Sequence, residues 1–246
     1  MIVNQAVILA GGRGERLRPL TNSIPKPMAP VNGIPFLDYL IFSVISVGID
    51  RILILLGYKS EVIAERYMSL SGVKIDYSFG TENEKTGRRL LNAYDQLDKH
   101  FLLMYGDNHW PIELDKMWSN YQNLNAPVTT TVFSNKNGTG EYDYKNNVVV
   151  GADNLVEKYD KAMQTDSGNG VDIGYFLVDK EALNPEIQSN VSFELDILPY
   201  LIVNKKLGAY VTDTQYYYIT NMQTLKDFEI VVKEKNFLPL PQEYWK

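Results

Sequence analysis

Apolar positions fall along the chain in two alternating spacings. Ala6 to Ala10 is an unbroken apolar run, as expected of a parallel strand buried on both faces, and it enters the glycine turn Gly11 to Gly14. Leu37, Leu40, Ile41, Val44, Ile45 and Val47 then recur at helical spacing and stop at Gly48. A second buried strand is read over Arg51 to Tyr58, and a second helix over Ser60 to Tyr67 with Ser60 as its N-cap. Strand, helix, strand, helix in that order builds a parallel sheet with right-handed crossovers.

The pattern continues with less regularity. Val73 to Phe79 alternates as a strand, Thr81 to Arg89 reads as a loop, and Leu90 to Leu97 as a helix. Phe101 to Asn108 is a third buried strand, ending in Gly106-Asp107. A polar helix from Leu114 to Leu124 leads to a strand from Pro127 to Phe133, and the Asn-, Lys-, Gly- and Tyr-rich stretch from Ser134 to Asn147 predicts a mobile turn or hairpin. Asn147 to Gly151 and Asn154 to Val156 are read as short strands around a tight turn at Ala152-Asp153, closed by Glu157-Lys158. Ser192 starts a helix whose packed face is Ile197, Leu198, Leu201 and Ile202. A last helix covers Leu225 to Lys235, and Phe237 to Pro241 is an extended tail.

Composition narrows the class. A chain of 246 residues with 45% hydrophobic and 22% charged residues is an ordinary globular one, long enough for a substantial core. The net charge of −6 argues against general nucleic-acid binding, so anionic small substrates would be held by local cations. With no cysteine, a disulfide framework, a thiol nucleophile and cysteine-bound metals are excluded. No apolar run approaches a membrane span and Asn4-Gln5 interrupts any signal-peptide pattern, so a cytoplasmic protein is expected.

The chemistry concentrates between Val3 and Pro30. Glycines let a backbone take positive φ and approach a ligand, so that successive N–H groups can face phosphate oxygens. Arg13, Arg16 and Arg18 supply the charge glycine lacks, and Lys26 returns a cation between Pro25 and Pro27. The turn does not fit the dinucleotide fingerprint, which needs a glycine where Arg16 stands, nor a P-loop, which ends G-K-[ST]. Farther on, Asp107 sits at a strand's carboxyl end, where ligands of open α/β sheets collect and where a metal bridging a triphosphate would be wanted; a Gly-Asp can also be a simple turn.

At these residues the chain resembles the sugar-1-phosphate nucleotidyltransferases, and most closely the mannose-1-phosphate and D-glycero-D-manno-heptose-1-phosphate guanylyltransferases. Their strand followed by A-G-G-x-G-x-R-L-x-P-L-T and x-P-K-P-M/L-x-P-V appears here as Ala10 to Thr21 and Ile24 to Val31. The resemblance implies an α/β, Rossmann-like three-layer fold with a mixed, mostly parallel sheet. It implies one domain over 1–246, with a nucleotide-binding half at 1–125 and a β-rich sugar-binding half at 126–246. The hexapeptide-repeat domain that some relatives carry is absent from this sequence.

The same resemblance assigns roles. Leu9, Ala10, Gly11, Gly12, Arg13 and Gly14 would hold the nucleotide, joined by Thr86 and Gly87 of a loop that reads G-T-G-G-A-L in relatives and Lys85 to Leu90 here. In that loop Arg88 and Arg89 replace small residues, either as a solvated charged turn or with an arginine reaching a phosphate. Arg16 and Lys26 would be catalytic, and Asp107 would bind Mg²⁺ as well as the nucleotide. Glu157, Lys158, Gly174 and Glu194 would meet the sugar phosphate, with Lys161 as a fallback cation and a capping role equally open for Glu194. One position departs: the second metal aspartate of relatives is Tyr218, and Asp213 lies five residues away, about 17 Å along an extended strand.

The implied reaction joins a nucleoside triphosphate and a sugar 1-phosphate. GTP with a manno-configured sugar is the first choice, and CTP or dTTP with another hexose 1-phosphate stays open. The loss of the aspartate at Tyr218 also leaves open a nucleotide-binding homologue with impaired catalysis. Relatives are often dimers or tetramers, so a homo-oligomer is open too. His100 and His109 fit no metal or triad spacing and are read as structural.

Overall fold

The computed structural model describes residues 3–161 and 168–245. Its main sheet has seven strands, in the order Leu207–Thr212, Val128–Phe133, Val171–Asp179, His100–Tyr105, Gln5–Leu9, Arg51–Leu56 and Lys74–Phe79. Gln5–Leu9, Arg51–Leu56 and Lys74–Phe79 pair in parallel, as the strand–helix alternation dictates. Val171–Asp179 runs antiparallel to Val128–Phe133 and makes the sheet mixed. The α/β class and mostly parallel sheet expected from the sequence are present.

The chain forms two compact units that do not divide it at residue 125. One contains Met1–Glu84, Met104–Ile112 and Tyr217–Lys246; the other contains Lys85–Leu103 and Glu113–Tyr216.

In the first unit, the strands Gln5–Leu9 and Arg51–Leu56 are apolar because both faces are covered, and Ala6, Val7, Ile8, Leu53 and Ile54 are fully buried. Helix Phe36–Ser46 buries Phe36, Leu37, Leu40, Ile41 and Val44, the face its spacing predicts. Helix Ser60–Tyr67 has the expected bounds, but its N-cap is Lys59, in the left-handed region at φ 51°, and not Ser60; no side chain caps this helix. The turn from the strand is made one residue earlier than the serine, which places Ser60 inside the first turn. Asp38, on the first helix, is buried and accepts bonds from Arg66 Nε at 3.1 Å, Arg66 Nη2 at 2.6 Å and the Tyr67 hydroxyl at 2.6 Å. Trp245 stacks on Tyr67, with the Arg66 guanidinium 4.8 Å from its ring centroid. Helix Met222–Lys235 begins in a capping box of Asn221 and Thr224.

In the second unit, Val128–Phe133 lies between Leu207–Thr212, parallel to it, and Val171–Asp179. The register of the antiparallel pair breaks between Asp172 and Phe176, around Gly174 at φ 76°. Val148–Val150 and Val156–Tyr159 form the expected hairpin, but Glu157 and Lys158 lie inside its second strand, where a bulge shifts the register between Val156 and Lys158. Helix Thr86–Asn92 starts four residues before the expected Leu90, so the last four residues of the presumed loop, Thr86 to Arg89, are helical. The stretch after Ser134 is organised by Asn135, whose Nδ2 donates to the Asp143 carbonyl at 2.8 Å and whose Oδ1 accepts from Gly140 N at 2.9 Å. Helix Leu198–Val203 follows one π-turn, Phe193–Ile197, with Ser192 as the N-cap the sequence indicates. Among the described residues no helix is long and apolar enough to cross a membrane.

Candidate active site

The glycine turn leaves the strand Gln5–Leu9 and is pinned at several points. Ala10 N donates to the Leu55 carbonyl at 3.0 Å, and Tyr58 N to the Gly11 carbonyl at 3.1 Å. Thr21 Oγ1 donates to the Gly14 carbonyl at 2.9 Å, and the Tyr58 hydroxyl to the Thr21 carbonyl at 2.9 Å. Gly14 is left-handed at φ 62°, and a Cβ there would stand 2.7 Å from Lys26 Cβ. Gly12 is exposed, and nothing lies within 4 Å of where its Cβ would be. One glycine is thus used internally, to admit Lys26, while the other leaves its backbone open to a ligand.

The cations around the turn differ in their engagements. Arg13 is exposed and reaches Glu82 at 2.6 Å, with Asn83 Oδ1 at 3.4 Å. Glu15 is met by Arg18 at 3.1 Å. Arg16 is exposed in the single turn Glu15–Leu17. Lys26 reaches farthest in sequence: its Nζ lies 2.7 Å from Asp107 Oδ2, with the lysine side chain 12% and the aspartate side chain 36% exposed.

Asp107 is placed by its neighbours. Gly106 N donates to the Leu9 carbonyl at 3.0 Å, and a Cβ at Gly106 would meet that same oxygen at 2.7 Å. Only glycine allows the end of the strand His100–Tyr105 to lie this close to Leu9, which sets Asp107 beside the turn. Ile219 N donates to the Asp107 carbonyl at 3.0 Å, and the preceding Tyr218 pairs with Asn108 in a two-residue ladder. Tyr218 therefore lies one ladder position from Asp107. Asp213 is engaged elsewhere, by Lys136 at 3.1 Å and by Ser134.

A second group of sequence-indicated residues meets in the other unit. Glu194 is 5% exposed, and its Oε2 accepts from Thr86 Oγ1 at 2.6 Å and Ser192 Oγ at 2.8 Å while Oε1 accepts from Lys161 Nζ at 2.8 Å. Burial pushes its pKa up, but the Lys161 ammonium and the Thr86 hydroxyl more than offset this and hold the carboxyl below its ordinary range. Gly87 packs against the same segment, where a Cβ would stand 2.9 Å from the Val191 carbonyl and 3.0 Å from Phe193 N. Arg88 donates from Nε to Asn92 at 2.7 Å and from Nη1 to the Ile187 carbonyl, and Arg89 is 5% exposed. Neither arginine is part of a solvated turn.

Sequence reasoning missed the residue beside Gly174. Asp172 is buried, and its Oδ1 accepts from Thr130 Oγ1 at 2.8 Å and Gly174 N at 3.0 Å. Burial raises its pKa to about 6, against the pull of these donors and of the Tyr159 hydroxyl, with the Glu194 charge adding to the rise. An acid within the apolar run Val171 to Phe176 was the available signal. Glu157 and Lys158 are exposed on the hairpin, and the Glu157 carboxylate lies against Gly151, where a Cβ would be 2.5 Å from Oε1. His109 is buried between Phe228 and Phe237, and burial lowers its pKa to about 4, so it is a neutral packing residue. His100 packs on Trp118 and Tyr121.

Known proteins share this arrangement of elements. A D-glycero-alpha-D-manno-heptose 1-phosphate guanylyltransferase of Aneurinibacillus thermoaerophilus is 28% identical over 216 residues, 86% of this chain and 91% of that protein. One of the same name from Campylobacter jejuni is 31% identical over 77% of this chain and 83% of its own length. The crystal structure of HddC from Yersinia pseudotuberculosis complexed with GMP-PN superposes with a TM-score of 0.73 at 24% identity, covering 92% of this chain and 97% of that one. Residues 5–245 match the nucleotidyl transferase family from end to end, and the chain belongs to that family.

Proposed function

We propose that the protein transfers a nucleoside monophosphate from a nucleoside triphosphate to a sugar 1-phosphate, with GTP and a manno-configured hexose or heptose 1-phosphate favoured. The observation that carries this reading is the Lys26–Asp107 pair set beside a glycine turn with an open Gly12. The likeness to two heptose 1-phosphate guanylyltransferases favours the base and the sugar.

In this reaction an oxygen of the sugar phosphate attacks the α-phosphorus, a new P–O bond forms, the α–β P–O bond breaks and pyrophosphate leaves with its electron pair. The nucleophile is already an anion, so no general base is needed, and the work is positioning and charge neutralisation. Backbone N–H groups at Gly11 to Gly14 would face the phosphates, with Arg13 supporting. Arg16 would offset charge on the α-phosphate and leaving group, and Lys26 would bridge the α-phosphate and the incoming oxygen. Glu157, Lys158 and Gly174 would meet the sugar phosphate, and Glu194 would act from beneath through Thr86 and Lys161.

Mg²⁺ fits this site in a restricted way. Asp107 is a single carboxylate with one oxygen on Lys26, and among the described residues no group of three or more His, Asp or Glu is placed to hold a metal ion. That donor set suits an ion that keeps its waters and shares substrate phosphates, which is how Mg²⁺ is commonly held. Asp107 would hold it, and the ion would supply charge neutralisation on the triphosphate.

Pyrophosphate release measured with GTP, CTP, dTTP, UTP and ATP against mannose and heptose 1-phosphates tests the reading; turnover restricted to another base would transfer the assignment to the cytidylyl- or thymidylyltransferases. Tyr218 beside Asp107 favours one other reading, a nucleotide-binding homologue with impaired catalysis. Nucleotide binding by calorimetry without turnover of any pair would favour that one.

A further inference from the structure

We propose that Lys26 is the resident counter-ion of Asp107 and keeps the nucleotide-free protein from holding a divalent cation. The inference rests on the reading of Asp107 as the carboxylate that meets the metal. The ammonium lies 2.7 Å from Oδ2, on a side chain that is 12% exposed. Its stem is wedged against Gly14, where even a methyl group would overlap Lys26 Cβ, and it is flanked by Pro25 and Pro27. The main chain that carries the carboxylate is held by the hydrogen bonds from Gly106 N to the Leu9 carbonyl and from Ile219 N to the Asp107 carbonyl.

A cation approaching Asp107 therefore meets a bound ammonium at contact distance. The neighbouring ladder position is Tyr218 and not a carboxylate, and among the described residues no group of three or more His, Asp or Glu is placed to share the ion and offset that repulsion. An arriving polyphosphate changes the balance. It gives the ammonium a second anion to bridge and brings its own oxygens to the ion. Divalent cation and triphosphate are then expected to load together, and the free ion to bind the empty protein weakly.

The test uses Mn²⁺ as probe, titrated into nucleotide-free protein and followed by electron paramagnetic resonance of the free ion. Wild type, Lys26→Met, Lys26→Gln and the double variant Lys26→Met/Asp107→Asn are compared, with melting temperature as the check on folding. Lys26→Met is expected to bind Mn²⁺ about tenfold or more tightly than wild type, and the double variant to lose the gain. Lys26→Gln carries the comparison if the methionine variant does not fold. Wild type binding as tightly as the single variants, or a gain that survives Asp107→Asn, would overturn the proposal. Failure of the wild type to bind any nucleotide would sink the functional reading instead, and the Mn²⁺ comparison would still decide the role of Lys26.

Discussion

Lys26 and Asp107, 81 residues apart in sequence, meet at 2.7 Å beside the glycine turn. The lysine is mostly shielded and the aspartate more open, so substitution of the lysine removes charge from the site without emptying a core. Lys26→Ala is expected to lower turnover by about 10³-fold, the scale of losing a cation that neutralises a transferring phosphoryl group. Circular dichroism should stay unchanged. Pyrophosphate release within a few-fold of wild type would remove Lys26 from the mechanism.

The packed Gly14 and the exposed Gly12 of the turn should separate stability from binding. Gly14→Ala puts a Cβ into Lys26 and an alanine at φ 62°, so it should cost about 2 kcal/mol or more and lower the melting temperature. Gly12→Ala meets nothing within 4 Å and should melt like wild type. The alanine keeps the N–H, but where the backbone approaches a phosphate the added Cβ holds the oxygen off and lengthens that bond, so nucleotide affinity should fall roughly tenfold, the value of one hydrogen bond to a charged group. Calorimetry on Gly12→Ala showing full affinity would place the phosphates elsewhere.

Much of this site is legible in the sequence because its parts are local. The run Ala6 to Ala10, the glycines after it and Lys26 between prolines lie within one short stretch, and Asp107 follows an apolar strand. Tyr218 is reached from the spacing of the segment Tyr218 to Leu225 alone; its pairing with Asn108 is seen only in the structure. What the sequence concealed depends on contacts between distant segments. Arg88 looks like surface until the Ile187 carbonyl is found against it, and Thr86 looks like loop until its hydroxyl is seen between Glu194 and Phe193 N. Lys59 takes the cap at Ser60's expense because the left-handed region was reached by a residue that sequence rules do not favour there. The placement of Val171–Asp179 as an antiparallel strand inside the sheet is set by pairing partners that no local pattern encodes.

Glu194 is the hub of three hydrogen bonds from Thr86, Ser192 and Lys161. Glu194→Ala leaves the buried Ser192 hydroxyl and the half-buried Thr86 hydroxyl without their acceptor and should destabilise the protein by about 3 kcal/mol, whereas Glu194→Gln retains an acceptor and should cost less. Lys161 is 48% exposed, so its share is small. A double-mutant cycle of Glu194→Gln with Lys161→Met should give a coupling of about 1 kcal/mol or below in urea unfolding. A coupling near the full cost of Glu194→Ala would mean that the ion pair, and not the hydroxyls, holds the hub.

Asp172 and His109 should tilt the stability–pH profile in opposite directions. Burial raises the Asp172 carboxyl from 3.8 to about 6, so between those values the folded state binds the extra proton; this stabilisation is complete below 3.8 and is lost as pH rises through 6. Burial lowers His109 from 6.5 to about 4, so there the unfolded state binds the extra proton; this stabilisation is complete above 6.5 and is lost as pH falls through 4. Each shift of about two units corresponds to roughly 3 kcal/mol, and the two slopes largely offset between pH 5 and 6. Removing one should expose the other. Asp172→Asn is expected to be most stabilising relative to wild type above pH 6.5, with a profile that rises with pH. His109→Phe should show a profile that falls with rising pH over the same window. Urea unfolding of the three proteins at pH 5, 6 and 7.5 measures both, and parallel profiles would show that neither group titrates as its burial requires.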